Sequence, residues 1–129
     1  MNPVFTGKTS SNNPLNGVVV SGAAAPSFVD IDGDGDIDVL SASKLDDTIS
    51  WYRNNGSESF TEFEITTSAD GARSVYATDV DGDGDIDVLS ASPDDDTIEW
   101  YEQQGTPSKT VTFTAVSYTH LTLPTICSV

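Results

Sequence analysis

Two short loops of alternating aspartate and glycine carry the chemistry that this sequence offers. Residues 30–43 read DIDGDGDIDVLSAS, and residues 79–92 read DVDGDGDIDVLSAS, so the two copies differ only in Ile31 against Val80. Each copy places five aspartates within nine residues. Carboxylates so close together repel one another, which makes the pattern unfavourable unless a positive charge lies among them. The spacing therefore predicts a cation site in each loop.

A hard divalent cation such as Ca²⁺ suits this set of oxygen ligands. Ca²⁺ takes roughly six to eight oxygens, and a short loop supplies them when every second side chain turns inward. The interspersed glycines accept the positive φ angles that such tight winding needs. Carboxylates are expected from positions one, three, five and nine and a backbone carbonyl from position seven, while Ile37 and Ile86 point away from the ion and anchor the loops in the core. The predicted ligands are Asp30, Asp32, Asp34, Asp36 and Asp38 in the first loop and Asp79, Asp81, Asp83, Asp85 and Asp87 in the second.

Three other interpretations of the loops are less favoured. An EF-hand or dockerin loop also begins D-x-D-x-D-G, but it needs a bidentate glutamate at position twelve and flanking helices. Position twelve here is Ser41 or Ser90, and the flanking residues are typical of strands. Magnesium prefers to keep several waters rather than so many carboxylates. Plain solvated acidic turns would not repeat the same spacing of acids and glycines in two places.

The elements that position these loops follow from an internal repeat. A shift of 49 residues aligns Gly22 with Gly71 and Trp51 with Trp100. Alternating apolar and polar residues, with Asn, Asp, Gly and Ser between the runs, predict four short strands in each unit. These are residues 26–30, 37–43, 48–54 and 60–66 in the first unit and 74–79, 86–92, 97–103 and 109–115 in the second. Four strands in ~50 residues is typical of a β-propeller blade.

The expected fold is therefore all-β, an incomplete fragment of about two propeller blades, each a four-stranded antiparallel sheet. Residues 1–20 are expected to supply part of an earlier blade, with a strand at 3–7. Residues 21–66 form the first repeat and 67–115 the second. The two tryptophans recur at one point of each unit, which favours packing between blades over an aromatic platform for a ligand.

The two units resemble the FG-GAP repeat, also called the VCBS-type repeat, of calcium-loop β-propellers related to the integrin α-subunit head. The resemblance is carried by D-x-D-G-D-G-D-x-D, LSAS, DDTIxWY and a glycine turn, and it covers most of residues 14–115. It implies a propeller of about seven blades, calcium between the first two strands of a blade, and a secreted or cell-surface protein used in adhesion or ligand binding. Two units are too few to close a ring, so we expect a fragment of a larger metagenomic reading frame, joined to further blades of the same parent chain.

Charge and composition exclude several partner classes. Twenty-one acidic and five basic residues give a formal net charge of −16, whereas nucleic acid and anionic membranes need a basic surface. No apolar run approaches the ~20 residues that span a bilayer. The first residues, MNPVFTGKTS, lack the layout of a secretory signal. We therefore expect either a cytosolic protein or an N-terminus that is not the native one.

Residues 116–129, VSYTHLTLPTICSV, differ from the rest of the chain. They abandon the repeat, carry no acid or base, and resemble a translated sequencing adapter. We expect an artefact tail that packs irregularly and adds no strand with the Trp-Tyr or calcium-loop pattern. Since the single histidine, His120, and the single cysteine, Cys127, lie in it, residues 1–115 offer no Cys–His or Ser–His–Asp nucleophile, no His or Cys zinc site and no disulfide.

Two functions remain open from the sequence. The first is a non-catalytic, calcium-stabilised propeller segment of an extracellular module that binds a protein or carbohydrate ligand. The alternative is a set of non-catalytic blades within a secreted polysaccharide-degrading enzyme. Glycosidases need two carboxylates facing a substrate, one of them with a raised pKa, whereas a bound cation lowers the pKa values of the carboxylates that hold it. No catalytic residue is therefore predicted.

Overall fold

Within the described residues, two antiparallel sheets of four strands each make up the regular structure, apart from one 3-10 turn at Ser10–Asn12. The computed structural model describes residues 2–18, 20–22, 25–105 and 112–118. Sheet 1 contains β1 (Ser27–Val29), β2 (Asp38–Ser43), β3 (Thr48–Asn54) and β4 (Phe60–Thr66). Sheet 2 contains β5 (Ser74–Thr78), β6 (Asp87–Ser92), β7 (Thr97–Gln103) and β8 (Phe113–Tyr118). The strands of each sheet lie in chain order, which confirms the all-β prediction and is consistent with about two blades. No helix in the described residues is long and apolar enough to span a bilayer.

The strand register gives each sheet two different faces. In sheet 1, Leu40 pairs with Trp51 and Val39 with Tyr52, so the alternation of a strand places these pairs on opposite sides. We call the side with leucine and tryptophan the Leu/Trp face and the other side the Val/Tyr face. Sheet 2 repeats the arrangement with Leu89 opposite Trp100 and Val88 opposite Tyr101.

The core lies between the Leu/Trp face of sheet 1 and the Val/Tyr face of sheet 2. Leu40 and Trp51 from the first sheet and Val88 and Tyr101 from the second belong to one buried apolar cluster. The Trp51 ring stacks on Phe63, with ring centroids 5.0 Å apart. Trp51 is therefore a core residue, as the sequence predicted, and the buried Ala42 beside it lets the two sheets approach closely.

The N-terminal segment covers the other side of sheet 1. Leu15 and Val18 line an apolar cavity together with Val39 and Tyr52 of the Val/Tyr face. Residues 2–9 contain no strand, and Val4 and Phe5 are each 90% exposed. The strand expected at 3–7 is thus missing from the structure. A strand needs a partner for its backbone groups, and Pro3 has no N–H to donate.

The last strand, β8, runs from Phe113 to Tyr118 rather than over the predicted 109–115. Its backbone pairs with β7, including Trp100 with Val116 and Ile98 with Tyr118. Residues 116–118 are therefore part of the sheet, and the expectation that they pack irregularly is wrong. An exposed strand edge offers unpaired N–H and C=O groups to almost any extended segment. The adapter origin of the tail stays a prediction, and residues 119–129 lie outside the described part of the chain.

The Leu/Trp face of sheet 1 is buried against sheet 2. Among the described residues, no sheet packs on the Leu/Trp face of sheet 2 in this way. Ile98 on this face is 44% exposed, whereas Ile49 at the equivalent position of sheet 1 is fully buried. Val80 is 42% exposed and its counterpart Ile31 only 2%. Equivalent side chains therefore differ in burial because the Leu/Trp face of sheet 1 packs on sheet 2, whereas no second sheet among the described residues packs on the Leu/Trp face of sheet 2.

This difference predicts unequal costs for one substitution at two equivalent positions. Ile49→Ala is expected to lower the free energy of unfolding by about 3 kcal/mol, since it removes buried methyl groups and leaves a cavity. Ile98→Ala is the matched control and should cost about 1 kcal/mol or less, because the side chain is already partly in water. Urea denaturation of both variants measures the difference. Equal costs would contradict the assignment of the core to the space between the sheets.

Candidate metal centres

Each acidic loop joins the first two strands of its sheet. The first loop lies between β1 and β2, and the second lies between β5 and β6. Gly33 and Gly35 have φ angles of 71° and 96°, and Gly82 and Gly84 have 79° and 98°. A Cβ added at any of the four would meet no atom within 4 Å. Glycine is therefore needed here for its backbone conformation, as predicted, and not for lack of space.

The first aspartate of each loop organises the turn. The Asp30 carboxylate accepts hydrogen bonds from the backbone N–H of Asp34 at 3.1 Å and of Gly35 at 2.9 Å. In the second loop Asp79 accepts from Gly82 at 2.7 Å and Gly84 at 3.0 Å. These bonds bend the loop around the carboxylate. Each carboxylate oxygen keeps a further lone pair with which it can bind a cation.

The last aspartate of the first loop, Asp38, holds the loop to the sheet. Asp38 is fully buried, and its two carboxylate oxygens accept the N–H of Ile31 at 3.1 Å and of Asn54 at 2.8 Å. Burial raises the pKa of Asp38, against the effect of these hydrogen bonds. Asp38 therefore joins the loop to the end of β3, a role that sequence reasoning missed.

Asp87 repeats this arrangement in the second loop. It is also fully buried and accepts the N–H of Val80 and of Gln103, each at 2.9 Å. The signal for this role was an aspartate at the first position of a buried strand, followed along the chain by an antiparallel partner strand.

Three of the predicted side chains converge in each loop. One carboxylate oxygen from each of Asp30, Asp32 and Asp38 lies within 4.8 Å of the others, and the same holds for Asp79, Asp81 and Asp87. Since Ca²⁺ binds oxygens at ~2.3–2.6 Å, oxygens on opposite sides of one ion lie up to ~5 Å apart. The donor set of both loops is therefore compatible with calcium.

The aspartates at position five behave differently in the two loops. Asp34 lies outside the first triad, accepts the N–H of Asp36 at 2.9 Å, and has its other oxygen 3.5 Å from the Arg53 guanidinium. The hydrogen bond from Asp36 lowers the pKa of Asp34. Asp83, by contrast, belongs to a second cluster of three carboxylates, together with Asp81 and Glu102.

Sequence reasoning did not identify two charged residues on the third strands as part of the sites. Arg53 places Nε 2.5 Å from Oδ2 of Asp32. Burial raises the pKa of Asp32, although the guanidinium opposes this effect. Glu102 occupies the position equivalent to Arg53 in the second unit. The 49-residue alignment pairs the two, but which face of the strand meets the loop depends on the tertiary structure.

The remaining predicted residues are the aspartates at position seven of each loop and the isoleucines expected to anchor the loops. The Asp36 carboxylate lies against Gly56, where an added Cβ would come within 2.6 Å of Oδ2. The predicted ligand role of the Asp36 and Asp85 backbone carbonyls stays a prediction. Ile37 does not anchor the first loop, since it is 54% exposed. Ile31 does so instead, because its side chain lies between the two sheets; Ile86 is half-buried.

The loop geometry, repeated in two four-stranded sheets, can be compared with known families. Residues 30–90 match the FG-GAP-like repeat. The match to this FG-GAP-like repeat begins at the first aspartate of the first loop, includes both loops, and covers just under half of the chain. It supports a β-propeller-type repeat segment. Searches of curated proteins and of solved structures gave no significant match.

Proposed function

We propose that the chain is a calcium-binding β-propeller segment of a secreted or cell-surface protein and contributes non-catalytic blades to a module that binds a protein or carbohydrate ligand. The observation that carries the proposal is the convergence of three carboxylates at equivalent positions in two loops. Bound Ca²⁺ would be held by these carboxylates and would offset their mutual repulsion. The FG-GAP-like repeat match supports the same assignment.

The extracellular location is proposed on the basis of the FG-GAP-like repeat match. Calcium sites in extracellular modules work with dissociation constants of about 10⁻⁴–10⁻³ M, which the calcium outside cells can fill. The partly exposed Leu/Trp face of sheet 2 is the place where a further blade of the parent chain would pack, because it carries the same residues that sheet 1 uses for this contact.

Calorimetric titration of the full chain with CaCl₂ at about 0.15 M salt tests calcium binding. We expect saturable binding with up to two ions per chain, and weaker heats with MgCl₂, which keeps its waters. The double variant Asp32→Asn/Asp81→Asn should lose this binding, whereas Glu62→Gln/Glu64→Gln, which removes the same charge from β4, should retain it. Absence of saturable calcium binding by the unmodified chain would refute the proposal.

A further inference from the structure

The third strands of the two sheets place opposite charges beside the two acidic loops. Arg53 in β3 and Glu102 in β7 are equivalent under the 49-residue repeat, and both lie three residues before a glycine turn that also aligns. The five aspartates and the glycines of the loops are otherwise the same. The loops therefore differ in charge mainly through this one position.

In the first loop the Arg53 guanidinium lies beside the carboxylates of Asp32 and Asp34, at positions three and five. Its Nε lies 2.5 Å from Asp32 Oδ2 and its terminal nitrogen 3.5 Å from Asp34 Oδ2. The Asp32 side chain is only 1% exposed and that of Arg53 28%, so the carboxylate end of the pair is shielded from water, which strengthens its attraction to the guanidinium. A cation bound by the triad of this loop must compete with Arg53 for the Asp32 carboxylate.

In the second loop the equivalent side chain adds a carboxylate close to the aspartates. One Glu102 oxygen lies within 4.8 Å of oxygens from Asp81 and Asp83. Asp81 is also a member of the triad with Asp79 and Asp87, so the two groups share a residue. Five aspartates and one arginine give the first loop a formal charge of −4, and five aspartates and one glutamate give the second −6.

We infer that the two loops are unequal cation sites: Glu102 is an additional carboxylate ligand that makes the second loop the tighter calcium site, and Arg53 weakens the first by neutralising Asp32 and Asp34. This inference rests on the proposed calcium function. One unit charge placed or removed within a few ångströms of the ion changes affinity by about tenfold after screening. The second loop should therefore bind Ca²⁺ at least about tenfold more tightly than the first.

Single-loop backgrounds measure the two sites separately by calorimetry with CaCl₂. Asp81→Asn leaves the first loop and Asp32→Asn leaves the second. In the first background, Arg53→Gln should tighten binding about tenfold, and its matched control Arg73→Gln, which removes an arginine outside both loops, should change it less than about twofold. In the second background, Glu102→Gln should weaken binding about tenfold, with Glu64→Gln as the matched control.

A second measurement keeps the inference testable if a single-loop variant does not fold. Amide signals of Gly33 and Gly35 report the first loop and those of Gly82 and Gly84 the second in NMR titration of the unmodified chain. We expect the second pair to respond at about tenfold lower calcium than the first. Simultaneous responses, or effects of Arg53→Gln and Glu102→Gln equal to those of their controls, would overturn the inference while leaving calcium binding intact. No calcium response in either loop would instead refute the proposed function.

Discussion

Saturating Ca²⁺ is expected to raise the free energy of unfolding by about 5 kcal/mol, and the double variant Asp32→Ala/Asp81→Ala should lose most of this gain. An ion that binds only the folded chain stabilises it by about 2.7 kcal/mol per site at about a hundredfold excess over Kd. Two sites together are comparable with the whole stability of a small domain. Sheets with open edges and one shared core make such a contribution large for this chain. Thermal unfolding at a calcium concentration about a hundredfold above the calorimetric Kd, and in excess chelator, gives the difference.

The control for this experiment removes the same number of carboxylates elsewhere. Asp46→Ala/Asp70→Ala changes two exposed aspartates outside the loops and should keep the full calcium effect. The increase in midpoint should be roughly 4–8 °C for each kcal/mol. Equal midpoints with calcium and with chelator in the unmodified chain would show that the aspartates serve another purpose. An equal loss of the effect in the control variant would point to net charge rather than to the two loops.

Asp38→Ala is expected to lower the free energy of unfolding by about 4 kcal/mol even in chelator, where no calcium contributes. The substitution leaves the buried N–H of Ile31 and the partly buried N–H of Asn54 without their acceptor. An unsatisfied buried donor costs roughly 1–3 kcal/mol, and a hydrogen bond to a charged group contributes roughly 1.5–3 kcal/mol. Asp87→Ala should behave in the same way, because Val80 and Gln103 lose the same kind of acceptor.

Urea denaturation of Asp38→Ala beside Asp46→Ala separates this role from charge. Both variants remove one aspartate, and the second removes an exposed side chain for which the expected cost is within about 0.5 kcal/mol. Denaturation midpoints that agree between the two would mean that the buried carboxylate does not hold the loop to β3. Because Asp38 is also a predicted ligand, the comparison in chelator is the one that isolates its structural contribution.

Local pattern was sufficient for much of the fold. Strands β3, β4 and β7 have the predicted bounds, because alternating β-branched and aromatic residues between turn residues encode an extended segment locally. The glycines of the acidic loops have the positive φ angles expected from their spacing. The end of β8 was not predicted, since pairing with the open edge of β7 depends on backbone groups and not on side-chain pattern.

The sequence by itself determined that two acidic loops lie between paired strands in a repeated all-β unit, since spacing and repeat are properties of the chain. Only the tertiary structure decided which side chains meet there. Ile31 rather than Ile37 anchors the first loop because one sheet packs on the other. Asp38 and Asp87 reach backbone donors at the ends of the third strands. Arg53 and Glu102 come beside the loops through a strand register that spans residues far apart in sequence, and register is set by packing of whole sheets.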